Sequence, residues 1–409
     1  MALKKCDPID PDKYGRNSHL GGIYCDHNVP VHMINRLLEE DLQRRHKVLK
    51  CCSTEPDVTY KDEIFLPGVD ILHREVAFGK WAIPKLKKEL WSPDLQLVSK
   101  ALCSLIDLSF NPERSVEILC HNIISRLGRS VTSSSPFIRQ HVAILLRCIA
   151  NAPYGCNHIV GNKYLLDQIL LGLDDPMEQV RYEYLRTVYV LVSSSLVLQE
   201  LSDASYIEVL ISKLSSEQSE FCLLLIIHCL EHLAHTSSHQ QEYQIQANVI
   251  ESVHDRLKGK FSDRTKIGLL GILAQLMKHP DGKGHLTPEL FHLMLGFILN
   301  EKEVSPDLQV NSMRILTFAA ITTENKLLLV QFERIAQLIE KLIDLVRYHD
   351  KNMQLSSIQL LTVISETKYG REFMMSRLEF LQEMIELNGD RDDVVRALEI
   401  LLRVIQWTP

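Results

Sequence analysis

Three histidines, His228, His232 and His235, follow one another at steps of four and three, which places their imidazoles on one face of a helix. Neutral ring nitrogens at that spacing can seat a divalent metal ion. A complete site would need Cys229 or an outside ligand such as His239, but Cys229 lies about 100° round the helix from His228, so the geometry is incomplete. With Leu224, Leu225, Ile227 and Leu230 interleaved, the segment reads as a histidine-bearing surface beside an apolar core. Such a surface suits hydrogen bonding to a peptide, or a response to pH, better than zinc. A second concentration of ligand-type residues, Cys25, His27, His46, Cys51 and Cys52, matches no usual zinc module, because adjacent cysteines rarely share one tetrahedral ion. No metal and no cofactor is expected.

Basic runs occur at Arg44-Arg45-His46-Lys47 and Lys85-Leu86-Lys87-Lys88. Neither is interleaved with aromatic side chains for base stacking, and Glu39, Glu40, Asp41 and Glu89 lie alongside, so both read as solvated helix faces. The whole chain sets 52 acidic against 45 basic residues, a formal charge of −7, which disfavours bulk attraction to nucleic acid or an anionic membrane. No phosphate-cradling, dinucleotide, nucleophile-elbow or H-E-x-x-H motif is present, and 17 glycines in 409 residues leave little loop architecture for such sites. The amino-terminal MALKKCDPIDPDKYGRN has no apolar signal core, and the longest aliphatic run, Leu223 to Ile227, is far too short to span a bilayer. These features point to a chain on the cytosolic side, with ten scattered cysteines kept reduced.

The elements that would carry any surface site repeat along the chain. Ser92-Pro93-Asp94-Leu95-Gln96 recurs as Ser305-Pro306-Asp307-Leu308-Gln309, a separation that five steps of about 43 residues would fill, the size of an armadillo or HEAT unit. Breaks at Pro93, Pro136, Pro176, Gln218, Ser262, Pro306, Lys351 and Arg391 are 43, 40, 42, 44, 44, 45 and 40 residues apart. Between them the apolar spacing is helical: Ile335, Leu338, Leu342 and Leu345; Val394, Leu398, Leu401 and Ile405; Val180, Tyr184, Val188 and Leu191. Asp or Ser before a proline, as in Asp175-Pro176 and Ser305-Pro306, supplies an N-cap oxygen with proline in the first turn.

The expected fold is all-α, an armadillo/HEAT-like right-handed superhelical solenoid of about eight repeats over 72–409, with an irregular extension over 1–71. Isolated helix pairs cannot bury their apolar faces, so units must stack, which creates an extended concave surface. Arg129 to Pro136, His235 to Gln246 and Asp281-Gly282-Lys283-Gly284 read as loops at unit edges. Within 1–71 the first thirty residues read as an extended arm, and 31–49 as an amphipathic helix through Met33, Leu37, Leu38 and Leu42. That helix either caps the first unit or docks on another chain.

Against the nuclear import adaptors, whose grooves carry a ladder of Trp and Asn, the chain fails: Trp81, Trp91 and Trp407 lie at the ends of the array, and Asn151 has no partners one and two units on. One segment is more specific. Ala77-Phe78-Gly79-Lys80-Trp81-Ala82-Ile83-Pro84-Lys85-Leu86-Lys87-Lys88-Glu89-Leu90-Trp91-Ser92-Pro93-Asp94-Leu95 closely resembles the opening of the armadillo-repeat radial spoke proteins of motile cilia, the radial spoke head fourteen homologue family. Asp174-Asp175-Pro176 also resembles that family's third unit. The resemblance implies a non-catalytic structural subunit of the axonemal radial spoke. It also implies a cytoskeletal location in the cilium or flagellum, with other spoke proteins as partners and no nucleic acid, membrane or small-molecule substrate.

Binding would run through the groove and the amino-terminal arm. By register, the groove residues of each unit's last helix are Lys100, Arg139, Arg181, His228, His232, Asn311, Arg314, Gln354 and Arg396. The competing expectation is a soluble transport or signalling adaptor that binds a linear peptide reversibly in the same groove.

Overall fold

Stripes of apolar residues at helical spacing set the architecture. Val180, Tyr184, Val188 and Leu191 are all buried, as are Ile335, Leu338, Leu342 and Leu345, and Val394, Leu398, Leu401 and Ile405. The structure, a computed structural model, describes residues 79, 81–152, 154–194, 197, 201, 205–300, 304–389 and 391–407. The expected arm and its helix over 31–49, the Cys25 to Cys52 ligand set, the Arg44 to Lys47 run and the 71/72 boundary all lie outside the described residues. Among the described residues no strand occurs, and no helix is long and apolar enough to cross a membrane.

These residues divide into two compact units at 204/205. The first contains α1 (Ala82–Glu89), α2 (Leu95–Ser109), α3 (Pro112–Cys120), α4 (Ile124–Ser130), α5 (Pro136–Ala150), α6 (Gly155–Val160), α7 (Lys163–Gly172) and α8 (Glu178–Val192). Its long helix α5 packs against α2 on one side and α8 on the other. The second contains α9 (Tyr206–Ser216), α10 (Glu220–Thr236), α11 (Ser238–Gln246), α12 (Val249–Leu257), α13 (Asp263–Leu276), α14 (Pro280–Lys283) and α15 (Pro288–Leu299). It continues with α16 (Pro306–Ala319), α17 (Thr323–Val330), α18 (Ile335–Val346), α19 (Lys351–Ser365), α20 (Lys368–Met375), α21 (Leu378–Leu387) and α22 (Asp392–Gln406). Here the long helices stack in chain order, α10 on α13, then α16, α19 and α22. Every long helix in either unit starts within two residues of a break expected from the sequence.

The caps refine that expectation. Pro306 is the first residue of α16, and the Ser305 hydroxyl accepts the Leu308 amide; Pro136 likewise opens α5. At the other two prolines the helix starts later. Asp94, which follows Pro93, is itself the cap and accepts the Gln96 amide at 2.9 Å. Asp175, which precedes Pro176, accepts the Met177 amide at 2.9 Å, and α8 begins at Glu178. In both places the short acidic side chain closes a local turn and holds the proline ahead of the helix rather than in it.

Two expected loops are helical. The polar stretch 235–246 contains α11, because Ser237 caps it and its glutamines bond back to α10: Gln241 Nε2 donates to the Ala234 carbonyl at 2.8 Å and Gln244 Nε2 to the Leu230 carbonyl at 3.1 Å. Tertiary hydrogen bonds to the neighbouring helix stand in for the apolar stripe that the segment lacks. Asp281, Gly282 and Lys283 form most of the single turn α14, capped by His279.

Helix ends are tied from one repeat to the next. Arg126 donates to the Lys87 carbonyl at 2.6 Å, and Arg256 donates to the Leu214 and Glu217 carbonyls, each at 2.6 Å. Asn325 reaches the Lys283 carbonyl at 2.8 Å, and Arg391 reaches that of His349 at 3.1 Å. The last carbonyls of a helix have no partner inside it, and these side chains supply one.

Close packing leaves no room for extra atoms at some contacts. A Cβ on Gly172 would lie 2.5 to 2.7 Å from three ring atoms of the fully buried Tyr184, and one on Gly268 would lie 2.7 Å from Ile227 Cγ2 across the α10–α13 contact. The Tyr184 hydroxyl is buried without a hydrogen-bond partner among the described residues, and burial pushes its pKa far up. Gly172→Ala should therefore destabilise the protein by about 1–3 kcal/mol through overpacking. Tyr184→Phe, which removes an unsatisfied hydroxyl, should leave stability unchanged or raise it. Urea denaturation midpoints of the two variants check both outcomes.

Candidate functional site

Counting from its N-cap, each long helix presents the same two faces. The ninth position is occupied by Cys103, Ile144 and Arg186 in the first unit and by His228, Gly271, Arg314, Gln359 and Ile400 in the second. All but Gly271 are half-buried or exposed. The fourth position, about 140° away round the helix, turns into the seam between successive long helices. It holds the buried Val98 with Arg139 and Arg181 in the first unit, and the buried Leu223, Gln309 and Gln354 with the half-buried Lys266 and Val395 in the second.

This register separates the nine residues expected to line a groove. Arg139 does not face outward: its Nε and Nη2 grip Asp175 at 2.5 and 3.0 Å, and its Nη1 donates to the Ser133 carbonyl at 2.8 Å. Arg181 donates to the Asp175 carbonyl at 2.9 Å. Gln354 is buried, donating to the Val346 carbonyl at 3.0 Å and accepting from Arg391 Nη1 at 2.8 Å. Asn311 is half-buried and donates to the Ile267 carbonyl of the preceding long helix at 3.2 Å. Arg139, Arg181 and Gln354 lie five places before the outward position and Asn311 three places before it, and all four side chains are engaged in hydrogen bonds within the protein. Lys100 and Arg396 are exposed, and His228, His232 and Arg314 are half-buried. Lys100 belongs to the first unit, the other four to the second.

The histidine face of α10 carries a fourth polar side chain, Glu231, whose Oε2 lies 3.9 Å from His228 Nδ1. Cys229 points into the core, and burial pushes its thiol pKa strongly up. Among the described residues no group of three or more His, Cys, Asp or Glu side chains is placed to hold a metal ion. Six cysteines, Cys103, Cys120, Cys148, Cys156, Cys222 and Cys229, are free thiols.

The Asp175–Arg139 pair is the strongest electrostatic feature of the seam. Burial alone would raise the Asp175 pKa, but the Arg139 hydrogen bond, the Met177 amide and the charges of Arg139 and Arg181 together hold it below the ordinary aspartate value. The same hydrogen bond raises the Arg139 pKa.

Sequence reasoning missed a cluster on the outward side of the first unit. Glu183 of α8 is nine-tenths buried between two guanidiniums, with its Oε2 3.4 Å from Arg147 Nε of α5 and its Oε1 3.2 Å from Arg186 Nη1. Arg186 also lies over the Tyr182 ring at 5.7 Å. The sequence carried one signal: Glu183 directly adjoins the apolar stripe Val180–Tyr184–Val188, where an unpaired carboxylate would be costly. Next to this cluster, Tyr189 leads into an open cleft of about 390 Å³ lined also by Ala150, Asn151, Tyr154, Cys156 and Val190. The Cys156 thiol donates to the Ala150 carbonyl at 3.2 Å, and its pKa is raised, chiefly by burial.

No protein-family model matches the sequence, nor does any curated protein. Solved structures are similar. An engineered protein shares 19% identity at a TM-score of 0.66 over 80% of this chain and 79% of its own. A computationally designed armadillo repeat protein for modular peptide recognition shares 17% at a TM-score of 0.50, over 58% of this chain and 99% of its own. A second engineered protein shares 18% at a TM-score of 0.50, over 58% and 96%. The fold is thus an all-helical, armadillo-like solenoid.

Asp175→Asn should lower stability at neutral pH by about 3 kcal/mol, because it leaves Arg139 in the seam without its counter-charge. Since the folded-state pKa of Asp175 is depressed, the carboxylate's contribution is complete above the unfolded value, near ~4, and is lost as pH falls through the folded one. Urea midpoints of wild type and variant should differ most at pH 7 and converge below about pH 4.

Proposed function

We propose that the chain is a non-catalytic scaffold that binds other proteins along the outward faces of its long helices and, more narrowly, that it is an armadillo subunit of the axonemal radial spoke of cilia and flagella. The broad reading is carried by the ninth-position register, which places polar, charged and apolar side chains on the outward sides of successive long helices. Such a row offers many shallow contacts rather than one enclosed reaction chamber, an arrangement suited to holding polypeptide surfaces. The designed peptide-recognition protein of similar fold supports polypeptide segments as ligands.

The narrower reading rests on the resemblance of Ala77 to Leu95 to the opening of the radial spoke family. The described part of that segment forms α1 and the Asp94 cap of α2. Partners would be neighbouring spoke proteins in a large axonemal assembly, and the work would be mechanical: a stack of similar interfaces resists bending while offering several partners separate surfaces.

Extraction of demembranated axonemes tests the narrower reading. A spoke subunit should stay with the axoneme in detergent and leave with high salt or a chaotrope. Release by detergent alone would overturn that reading in favour of a soluble peptide adaptor. Photo-crosslinkers at Gln359 and Ile400, exposed on α19 and α22, should capture neighbouring polypeptides in intact axonemes; no capture from either would remove the second unit's long-helix face as a binding surface.

A further inference from the structure

We propose that Arg147 and Arg186, arranged around Glu183, form a docking site for a single acidic residue of a partner polypeptide, with the adjoining cleft taking an apolar side chain next to it. The proposal deepens the reading of the long-helix face as a protein-binding surface and rests on it. Its first support is charge: two guanidiniums share one carboxylate, which leaves one net positive charge on an otherwise acidic chain. A nine-tenths-buried carboxylate requires a counter-charge, and one arginine would supply it. The second arginine is surplus to neutrality.

Unused hydrogen-bonding capacity is the second support. Each guanidinium has five N–H donors. Glu183 accepts one from Arg186, while Arg147 Nε and Glu183 Oε2 sit 3.4 Å apart without a hydrogen bond. Arg147 is therefore held by charge in a poor geometry and can turn to a better acceptor. Arg186 is 38% exposed and Arg147 22%, against 10% for Glu183, so both guanidiniums are open to an incoming carboxylate while Glu183 is not. A planar guanidinium takes a carboxylate through two parallel bonds, a strong and directional contact.

Shape is the third support. Tyr182, Arg186 and Tyr189 follow at steps of four and three on α8 and are half-buried or exposed, which places an aromatic ring on each side of the cation. Tyr189 also lines the cleft, together with the apolar side chains of Ala150, Ala152 and Val190. One helical turn spans about 5.4 Å, and alternate residues of an extended peptide are roughly 7 Å apart. A glutamate and a nearby leucine can therefore fill the two places together. With a single net positive charge, the site suits one carboxylate rather than a polyanion such as nucleic acid.

Fluorescence anisotropy with the full chain tests the site, using a fluorescein-labelled peptide of alternating Glu-Leu-Ser units and a control with Gln for every Glu. The glutamate peptide should bind about tenfold more tightly at low salt, and the advantage should shrink as salt rises. Arg147→Gln and Arg186→Gln should each remove most of it. Glu183→Gln should tighten glutamate-peptide binding severalfold, because it removes the internal competitor for both arginines; a residue serving stability alone would not have this effect. Equal binding of the two peptides, or a glutamate preference that survives Arg186→Gln, would overturn the site. Circular dichroism melts distinguish loss of binding from loss of fold, and Arg186, on the surface, should be tolerant. Loss of peptide preference with intact crosslinking from Gln359 and Ile400 would remove this site alone, whereas loss of crosslinking from both with preference intact would remove the second unit's faces and leave this site standing.

Discussion

One constraint governs both units: a long amphipathic helix has more apolar surface than its own short partners can cover, so it must be packed by the next long helix. In the first unit α5 is buried from both sides, and in the second α13, α16 and α19 are. Burying one aliphatic side chain is worth about 1.5–3 kcal/mol, and each long helix buries several. The contacts are tight enough that Gly268 has no space for a Cβ against Ile227. Once these stacks form, the rotation of each helix is fixed, and with it the face that every polar residue must take.

Polar side chains at the seam then make the stacking specific. Arginine and asparagine residues from one repeat cap carbonyls at the helix ends of the previous one, as Arg126, Arg256, Asn325 and Arg391 do. Thr187 reaches the Ala143 carbonyl at 2.9 Å, and Ser262 and Thr265 both bond Glu220. Such bonds add modest net stability individually, but a slipped register would leave their buried partners unsatisfied, which is costly. The seam therefore selects one alignment out of several that apolar packing alone would tolerate.

The two units differ in what they place on the outward side. The first concentrates charge around Glu183 and aromatic surface at Tyr182 and Tyr189. The second carries the histidine row of α10, then Arg314, Gln359 and Ile400 on successive helices. One repeated backbone geometry thus carries different chemistry along its outward side, because every ninth position except the buried Gly271 is half-buried or exposed, whereas the fourth is turned into the seam.

Helix type, the phase of each apolar stripe and the starts of the long helices were legible in the sequence, because each depends on residues within a turn or two of one another. The stripes through Val180, Ile335 and Val394 illustrate this. What a polar residue at the edge of a stripe would do was not legible. Arg139, Arg181, Asn311 and Gln354 look like surface residues in isolation, yet they bond backbone or side chains up to about one repeat away. Likewise α11 is helical through bonds to α10 that no local pattern records. Each residue turns the helix by about 100°, so the position of the neighbouring helix decides whether a side chain joins the seam or the solvent. Local sequence determined the helices; only their packing decided which cations were paired inside the seam and which were left on the outward face.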